Sequence, residues 1–163
     1  MPFRQNAPVC GHTRQLWRAG FKVKRNMREP DKGTTDSSFE EKRIRVLCAE
    51  DADDLAFMLE TLFGFQPDVE VVGRLRDADH LVSEVKRLKP DVLVLDLTMP
   101  GVSPLDALAE LKTAALDCRV VVHSGRDDSE TVRTALARGA HSLVSKGKDF
   151  EDVLAAVRSA ARG

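Results

Sequence analysis

Four short apolar segments of this chain of 163 residues are each followed by side chains that could do chemistry. Carboxyl groups follow the first two segments, a hydroxyl group follows the third and an amine follows the fourth. The segments are Ile44 to Cys48, Val92 to Leu95, Val120 to Val122 and Leu143-Val144, and the side chains that follow them are Glu50 with Asp51, Asp96, Ser124 and Lys146. An ionisable group such as Asp96 at the end of an apolar segment is costly to bury unless it is paired or used.

Three carboxylates that converge on one place repel one another unless a cation lies between them. A hard divalent ion removes this conflict, and Mg²⁺ suits the task because it keeps several waters and needs few protein oxygens. Such an ion could bridge Asp96 and an incoming phosphoryl group and neutralise charge during transfer. We therefore predict that Asp96 is a nucleophile that forms an aspartyl phosphate. Lys146 would balance charge on the phosphoryl oxygens, and Ser124 would donate a hydrogen bond to one of them.

Taken singly, these residues also have simpler interpretations. Glu50 or Asp51 alone could cap the helix that follows, and Asp53 and Asp54 fit a helix cap or first turn better than a ligand set. A lone serine fits a turn, and a lone lysine fits a solvated surface. The four histidines are scattered, without ligand-like spacing, and we interpret them as structural or solvated (His12, His80, His123 and His141). The case for a site therefore depends on the whole set at the ends of successive apolar segments.

Strand-like segments alternate with helical periodicity from residue 44 onward. A further apolar segment, Val69 to Val72, lies between the first two. Leucines and methionine recur at helical spacing from Leu55 to Leu62, and two later stretches repeat this pattern. Helix starts are predicted at Ser103-Pro104, at Asp127 with Glu130 and at Asp149 with Asp152, and a helix end is predicted at Gly139.

Five strand–helix units in residues 44–163 predict an α/β fold. The expected architecture is a flavodoxin-like (βα)5 three-layer sandwich, in which helices cover both faces of a parallel sheet. The strand order 2-1-3-4-5 is typical of five such units. Ligands of these sheets bind outside the carboxyl ends of the strands, at the switch point between strands 1 and 3. The chemically capable side chains are predicted to meet at that edge.

Charge divides the chain into two predicted regions. Residues 1–43 hold ten basic and five acidic residues, a net +5, whereas residues 44–163 hold the other 15 basic and 21 acidic ones, a net −6. Residues 1–43 lack sustained periodicity and are predicted to be a basic, disordered extension, and residues 44–163 are predicted to form the domain. A nucleic-acid or membrane-surface role of the extension and an extension without function both stay open. The −6 charge argues against direct nucleic-acid binding by residues 44–163.

Apolar runs and cysteines restrict the class further. No apolar run approaches the roughly 20 residues that span a bilayer, and no signal-type segment opens the chain. The three cysteines form no close pair and no metal-type spacing (Cys10, Cys48 and Cys118). Cys48 and Cys118 lie in apolar runs and are predicted to be buried thiols. We therefore expect a cytoplasmic protein without disulfides.

The sequence resembles the receiver domain of bacterial two-component response regulators. The resemblance covers residues 43–160 and is carried by Val46 to Asp51, Pro90 to Gly101, Val120 to Gly125 and Gly139 to Lys146. It implies that Asp96 accepts the phosphoryl group, that Asp51 binds Mg²⁺ directly and Glu50 through water, and that Thr98 offers its backbone carbonyl to the metal. Ser124 would be the hydroxyl residue that switches position on phosphorylation, and Lys146 would correspond to the invariant-type lysine of the family.

The resemblance also implies how such a domain signals. A sensor histidine kinase or a phosphotransfer protein would supply the phosphoryl group, and the new charge would reshape the face made by helix 4, strand 5 and helix 5. We expect a phosphoacceptor that assists its own phosphorylation and dephosphorylation rather than an enzyme, with dimerisation on phosphorylation as an open outcome. Leu143 departs from the family, which often has an aromatic residue there, and Gly147 stands where many members have proline. The latter loss is common in regulators with a helix-turn-helix output domain.

Several alternatives remain beside this interpretation. The chain could be a pseudo-receiver that binds partners without phosphate, or a truncated DNA-binding regulator; we favour a stand-alone receiver, with its output partner unknown. A phosphatase of the haloacid dehalogenase type would need a second aspartate two residues after the nucleophile, where this sequence has Thr98. A P-loop or dinucleotide enzyme is excluded because neither glycine-rich motif follows the first strand.

Overall fold

The computed structural model describes residues 42–114 and 116–163. The strands are β1 (Ile44–Ala49), β2 (Val69–Leu75), β3 (Val92–Leu95), β4 (Arg119–Ser124) and β5 (Ser142–Ser145). The helices are α1 (Asp53–Gly64), α2 (Leu81–Leu88), α3 (Pro104–Thr113), α4 (Ser129–Arg138) and α5 (Phe150–Arg162). The predicted extension, residues 1–43, lies outside the described residues except for its last two, and its boundary stays a prediction.

The five strands form one parallel sheet in the order β2-β1-β3-β4-β5, as predicted. Ala49 at the end of β1 is opposite Leu95 at the end of β3, and Leu95 is opposite Val122 of β4. Ser124 is opposite Ser145, the last residue of β5. The register therefore aligns the carboxyl ends of four strands along one edge, and the loops that follow them start side by side.

Each face of the sheet has its own apolar core. Leu93 and Leu95 of β3 pack on the face covered by α2, α3 and part of α4. Val92 and Val94 pack on the other face, against residues of α1 and α5 such as Leu59 and Val157. All four residues of β3 are buried, which explains why this central strand is apolar throughout rather than alternating. Each such side chain contributes about 1.5–3 kcal/mol by its burial, so the strands that position the site form a stiff base.

The helix ends agree with the predicted signals at three places and differ at one. Ser103 is the N-cap residue of α3 with Pro104 at its first position, Asp149 is the N-cap residue of α5, and Gly139 ends α4 with φ +114°. The predicted cap Asp127 is wrong by one residue, because α4 is capped by Asp128. The Asp128 carboxylate accepts hydrogen bonds from the backbone amides of Glu130 and Thr131 and from the Thr131 hydroxyl. Asp128 therefore has the side-chain partners that define a cap.

The two cysteines within the described residues are free. Cys48 is buried, as predicted, but the prediction for Cys118 is wrong in part, because this side chain near the start of β4 is only partly buried. Burial raises the pKa of both thiols to about 12, so neither is a ready nucleophile at neutral pH. Cys10 lies outside the described residues. No helix in the described part of the chain is both long and apolar enough to cross a membrane.

Candidate functional site

Three carboxyl groups meet at the edge where β1 and β3 end. Glu50 follows β1 directly and Asp96 follows β3 directly, because the parallel register brings these two strand ends together. With Asp51, they offer carboxylate oxygens that all lie within 4.8 Å of one another. Glu50 and Asp96 are 2% and 1% exposed, whereas Asp51 is exposed. The cluster therefore has a buried base and one side open to solvent.

Lys146 is the cation that faces this cluster. Its Nζ atom lies 2.8 Å from Glu50 Oε2 and 2.9 Å from Asp96 Oδ2. Lys146 reaches this position from the loop after β5, and its backbone amide donates to the Ser124 carbonyl. Burial acts to lower the pKa of Lys146, but the hydrogen bonds to Glu50 and Asp96 outweigh it and hold this pKa above its usual value. The amine is therefore charged at neutral pH and offsets part of the repulsion between the carboxylates.

Both oxygens of Asp96 also accept hydrogen bonds from Thr98. The Thr98 amide donates to Oδ1 at 3.1 Å, and the Thr98 hydroxyl donates to Oδ2 at 2.7 Å. Thr98 itself is exposed, so the Asp96 carboxylate is oriented from the solvent side as well as from Lys146. The predicted metal contact through the Thr98 carbonyl stays a prediction.

Ser124 lies at the end of β4 and is fully buried. Its Oγ atom accepts a hydrogen bond from the Arg126 amide at 3.1 Å. Within the described residues, the hydroxyl proton of Ser124 has no acceptor. The hydroxyl is therefore able to donate to a group that enters the site.

The other acids of the first loop have structural roles, as the simpler interpretation predicted. Asp53 and Asp54 lie in the first turn of α1, where acids are favourable, and Ala52 is the N-cap residue. Asp53 pairs with Arg74 and Arg76 at 2.8 Å each. The hydrogen bond from Arg74 is the main cause that lowers the pKa of Asp53.

Sequence reasoning missed two residues near the site. Arg74 lies in β2, and its guanidinium donates to the backbone carbonyl of Glu50. His123, which we interpreted as structural or solvated, is buried, and its Nδ1 atom has no hydrogen-bond partner among the described residues. The alternation of β4 could have indicated this, since it places His123 on the face of Val121, which belongs to the core under α1 and α5.

The arrangement provides the parts for transfer of an anionic group. It combines a buried carboxylate at Asp96, a carboxylate set of the type that holds a hard divalent ion, a charged amine and a hydroxyl donor, and a carboxylate in such a setting can act as a nucleophile. Lys146 donates hydrogen bonds to Glu50 and Asp96, and Asp51 offers a carboxylate oxygen within 4.8 Å of theirs. Ser124 is joined to them through the backbone bond from Lys146 to its carbonyl.

Comparisons with known proteins agree with this arrangement. A family model described as the response regulator receiver domain matches residues 46–158. The nitrate/nitrite response regulator protein NarL of Escherichia coli K12 is 36% identical over 118 residues, which are 72% of this chain and 55% of that protein. Protein-glutamate methylesterase/protein-glutamine glutaminase 5 of Myxococcus xanthus is 40% identical over 104 residues, which are 63% of this chain and 30% of that protein.

A solved structure extends the comparison to the fold. The signal receiver domain of the putative response regulator NarL from Mycobacterium tuberculosis superposes with a TM-score of 0.72 at 27% identity, covering 75% of this chain and 98% of that one. The chain spans about half the length of curated relatives such as NarL and the Bacillus subtilis regulator LiaR. The likeness to these relatives therefore lies in one part of each of them. The family model and this superposition establish that the chain belongs to the response regulator receiver domain family.

Proposed function

We propose that Asp96 accepts a phosphoryl group from a phosphohistidine of a sensor kinase or phosphotransfer protein, and that the transfer depends on Mg²⁺. The observation that carries the proposal is the position of Asp96. Its carboxylate lies at the buried carboxyl end of β3, with Glu50 and Asp51 oxygens within 4.8 Å and the Lys146 amine at 2.9 Å. Lys146 pairs with Asp96, but its one positive charge offsets only part of the three negative charges of the cluster, which suits a site for a divalent cation.

The donor set of the cluster fits a magnesium ion. Three carboxylates from one sheet edge supply hard oxygen ligands, and the exposed side at Asp51 leaves room for the waters that Mg²⁺ keeps. Asp51 and Asp96 would hold the ion, with Glu50 through water and the Thr98 carbonyl as a further ligand. The bound ion would supply charge neutralisation for the phosphoryl oxygens.

The residues of this chain then have distinct roles in the step. An Asp96 oxygen forms a bond to phosphorus while the bond from phosphorus to the donor imidazole nitrogen breaks, and that nitrogen keeps the electron pair. Lys146, now shared by two carboxylates, pairs with a phosphoryl oxygen. Ser124 turns its free hydroxyl proton to another phosphoryl oxygen.

The negative charge of the phosphoryl group also explains how the domain could signal to a partner. When Ser124 moves toward the phosphate, the loop between β4 and α4 moves with it. We therefore propose that phosphorylation reshapes the face made by α4, β5 and α5. A partner protein or a second copy of the chain would bind this face. We also propose a cytoplasmic location for the protein. No observation favours the pseudo-receiver alternative.

Intact mass spectrometry tests the proposal. The protein is incubated with Mg²⁺ and acetyl phosphate, a small phosphodonor that needs no partner. We expect a gain of one phosphoryl group, which is lost with EDTA and in Asp96→Asn. Asp127→Asn is the matched control, because Asp127 is an exposed acid outside the site, and it should be phosphorylated like the unaltered chain. A folded protein that gains no phosphate under these conditions would instead support the pseudo-receiver.

A further inference from the structure

Arg74 connects the end of β2 to the loop that carries two of the clustered carboxylates. Its Nε and Nη2 atoms donate to the Glu50 carbonyl at 3.4 and 3.2 Å, and Nη2 also lies 2.8 Å from Asp53 Oδ1. The Arg74 side chain is 17% exposed. One planar guanidinium therefore holds both ends of the segment from Glu50 to Asp53, a task that suits its fixed fork of donors.

Asp51 lies between these two anchored points. Its own carboxylate is exposed and makes no hydrogen bond to any residue that the structure describes. The direction of this side chain therefore depends on its backbone. The carbonyl of Glu50 belongs to the peptide plane that joins Glu50 to Asp51, so a bond to that carbonyl fixes the plane from which the Asp51 side chain departs.

We propose that Arg74 is a positioning residue for the magnesium site: it holds the Glu50–Asp51 peptide so that the Asp51 carboxylate is directed to the ion. The inference rests on the proposed function, since it assumes that the cluster binds Mg²⁺. Groups that orient metal ligands without touching the metal commonly have a large effect on affinity.

Electrostatics alone gives the opposite expectation. Arg74 carries a positive charge beside a site for a dication, and like charges repel. If Arg74 acted through its charge, its removal would strengthen Mg²⁺ binding. If it acts through position, its removal weakens binding, so the sign of the change separates the two roles.

Arg76 provides a matched control. It lies two residues further along, pairs with the same Asp53 carboxylate and is 65% exposed. Its only hydrogen bond to the described residues is the one to Asp53, so it does not hold the Glu50 carbonyl. Arg76→Met, like Arg74→Met, removes one positive charge and one ion pair with Asp53. It leaves the Glu50–Asp51 peptide held by Arg74.

The experiment measures the Mg²⁺ dissociation constant of the full chain by isothermal titration, without any phosphodonor, together with the thermal unfolding midpoint in EDTA. We expect Arg74→Met to raise the dissociation constant about tenfold, as for loss of a group that orients a metal ligand. Arg76→Met should leave it unchanged or lower it. Arg74→Lys keeps the charge but lacks the planar fork of donors, so its dissociation constant should lie between those of the unaltered chain and Arg74→Met. This variant replaces Arg74→Met in the comparison if Arg74→Met does not fold.

The other outcomes are distinct. An unchanged or lower dissociation constant in the Arg74 variants, with or without a lower unfolding midpoint, would overturn the positioning role and leave the proposed function standing. An equal rise of the Mg²⁺ dissociation constant in the Arg74 and Arg76 variants would also overturn the positioning role and leave the proposed function standing. An unaltered chain that binds no Mg²⁺ at millimolar concentration would overturn both the metal-dependent function and this inference.

Discussion

At the scale of single residues, Lys146 offsets part of the negative charge of the site. Its ammonium is shared by Glu50 and Asp96, two carboxylates that are almost fully buried. Buried charges are tolerated when they are paired, and removal of one partner leaves an uncompensated charge. Lys146 therefore has a cost when removed that an ordinary surface lysine does not have.

We expect Lys146→Met to lower the free energy of unfolding by about 2–3 kcal/mol, somewhat less than for a fully buried pair, since water reaches this side chain. Urea denaturation in EDTA measures the change, with Lys148→Met, at an exposed position, as the control. Mg²⁺ should restore part of the loss, because the ion replaces the missing cation. Equal stabilities of the two variants would contradict the role of Lys146 as the counter-ion.

His123 predicts a pH dependence of stability. Burial, with a further contribution from the nearby Lys146 charge, lowers the pKa of His123 from 6.5 to about 4, although Asp96 acts in the other direction. The unfolded chain binds this proton below about pH 6.5 and the folded chain only near pH 4, so the folded state loses stability as the pH falls through this window.

The loss should be about 3 kcal/mol between pH 6.5 and 4, at roughly 1.4 kcal/mol per unit of pKa difference. His123→Leu replaces the imidazole by an apolar side chain of similar size and so removes the titrating group. Its unfolding free energy should therefore vary less with pH across this range than that of the unaltered chain. Parallel pH profiles of the two proteins would show that other groups cause the acid dependence.

At the scale of elements, apolar periodicity and the polar residues at segment ends were enough to predict the strands and most helix ends. The β3 strand, Val92–Leu95, has its predicted bounds. Its four apolar residues lie between two polar ones, which mark where the buried strand begins and ends. The helix cap at Asp128 was missed by one residue, because Asp127 and Asp128 are both acids and only the backbone direction decides which carboxylate reaches the amides. Arg74 could not be predicted, since its contact depends on how far β2 continues beside Glu50.

The C-terminal end of α4 gives a test of backbone conformation. Gly139 has φ +114°, and a Cβ atom there would lie 3.0 Å from Lys112 Cδ. Gly139→Ala should lower the free energy of unfolding by about 1–2 kcal/mol, the usual penalty for a Cβ atom in the left-handed region.

Gly64 provides the matched control for Gly139. It ends α1 without a positive φ, and a Cβ atom there would have no neighbour within 4 Å. Gly64→Ala should raise the free energy of unfolding by about 0.4–1 kcal/mol, because it restricts the unfolded chain without strain in the folded one. Chemical denaturation of both variants gives the comparison, and a stabilising Gly139→Ala would contradict the assigned conformation.

At the scale of the whole molecule, the parallel sheet converts sequence separation into proximity. Glu50, Asp96 and Lys146 are separated by up to 96 positions and yet meet within hydrogen-bond distance. The sequence could predict this meeting because the ends of parallel strands share one edge. It could not predict that Lys146 holds both carboxylates, since a long flexible side chain takes its direction from the finished site. The function of residues 1–43 stays open in the same way, because charge alone identifies no partner.

Chemical labelling tests most directly whether Asp96 itself carries the phosphoryl group. After reaction with acetyl phosphate and Mg²⁺, borohydride reduction converts an aspartyl phosphate to homoserine, and peptide mass spectrometry locates the changed residue. We expect a single changed residue at position 96, none in EDTA and none without phosphodonor. A change at Glu50, Asp51 or Asp53 instead, or a phosphorylated protein in which position 96 is unaltered, would contradict it.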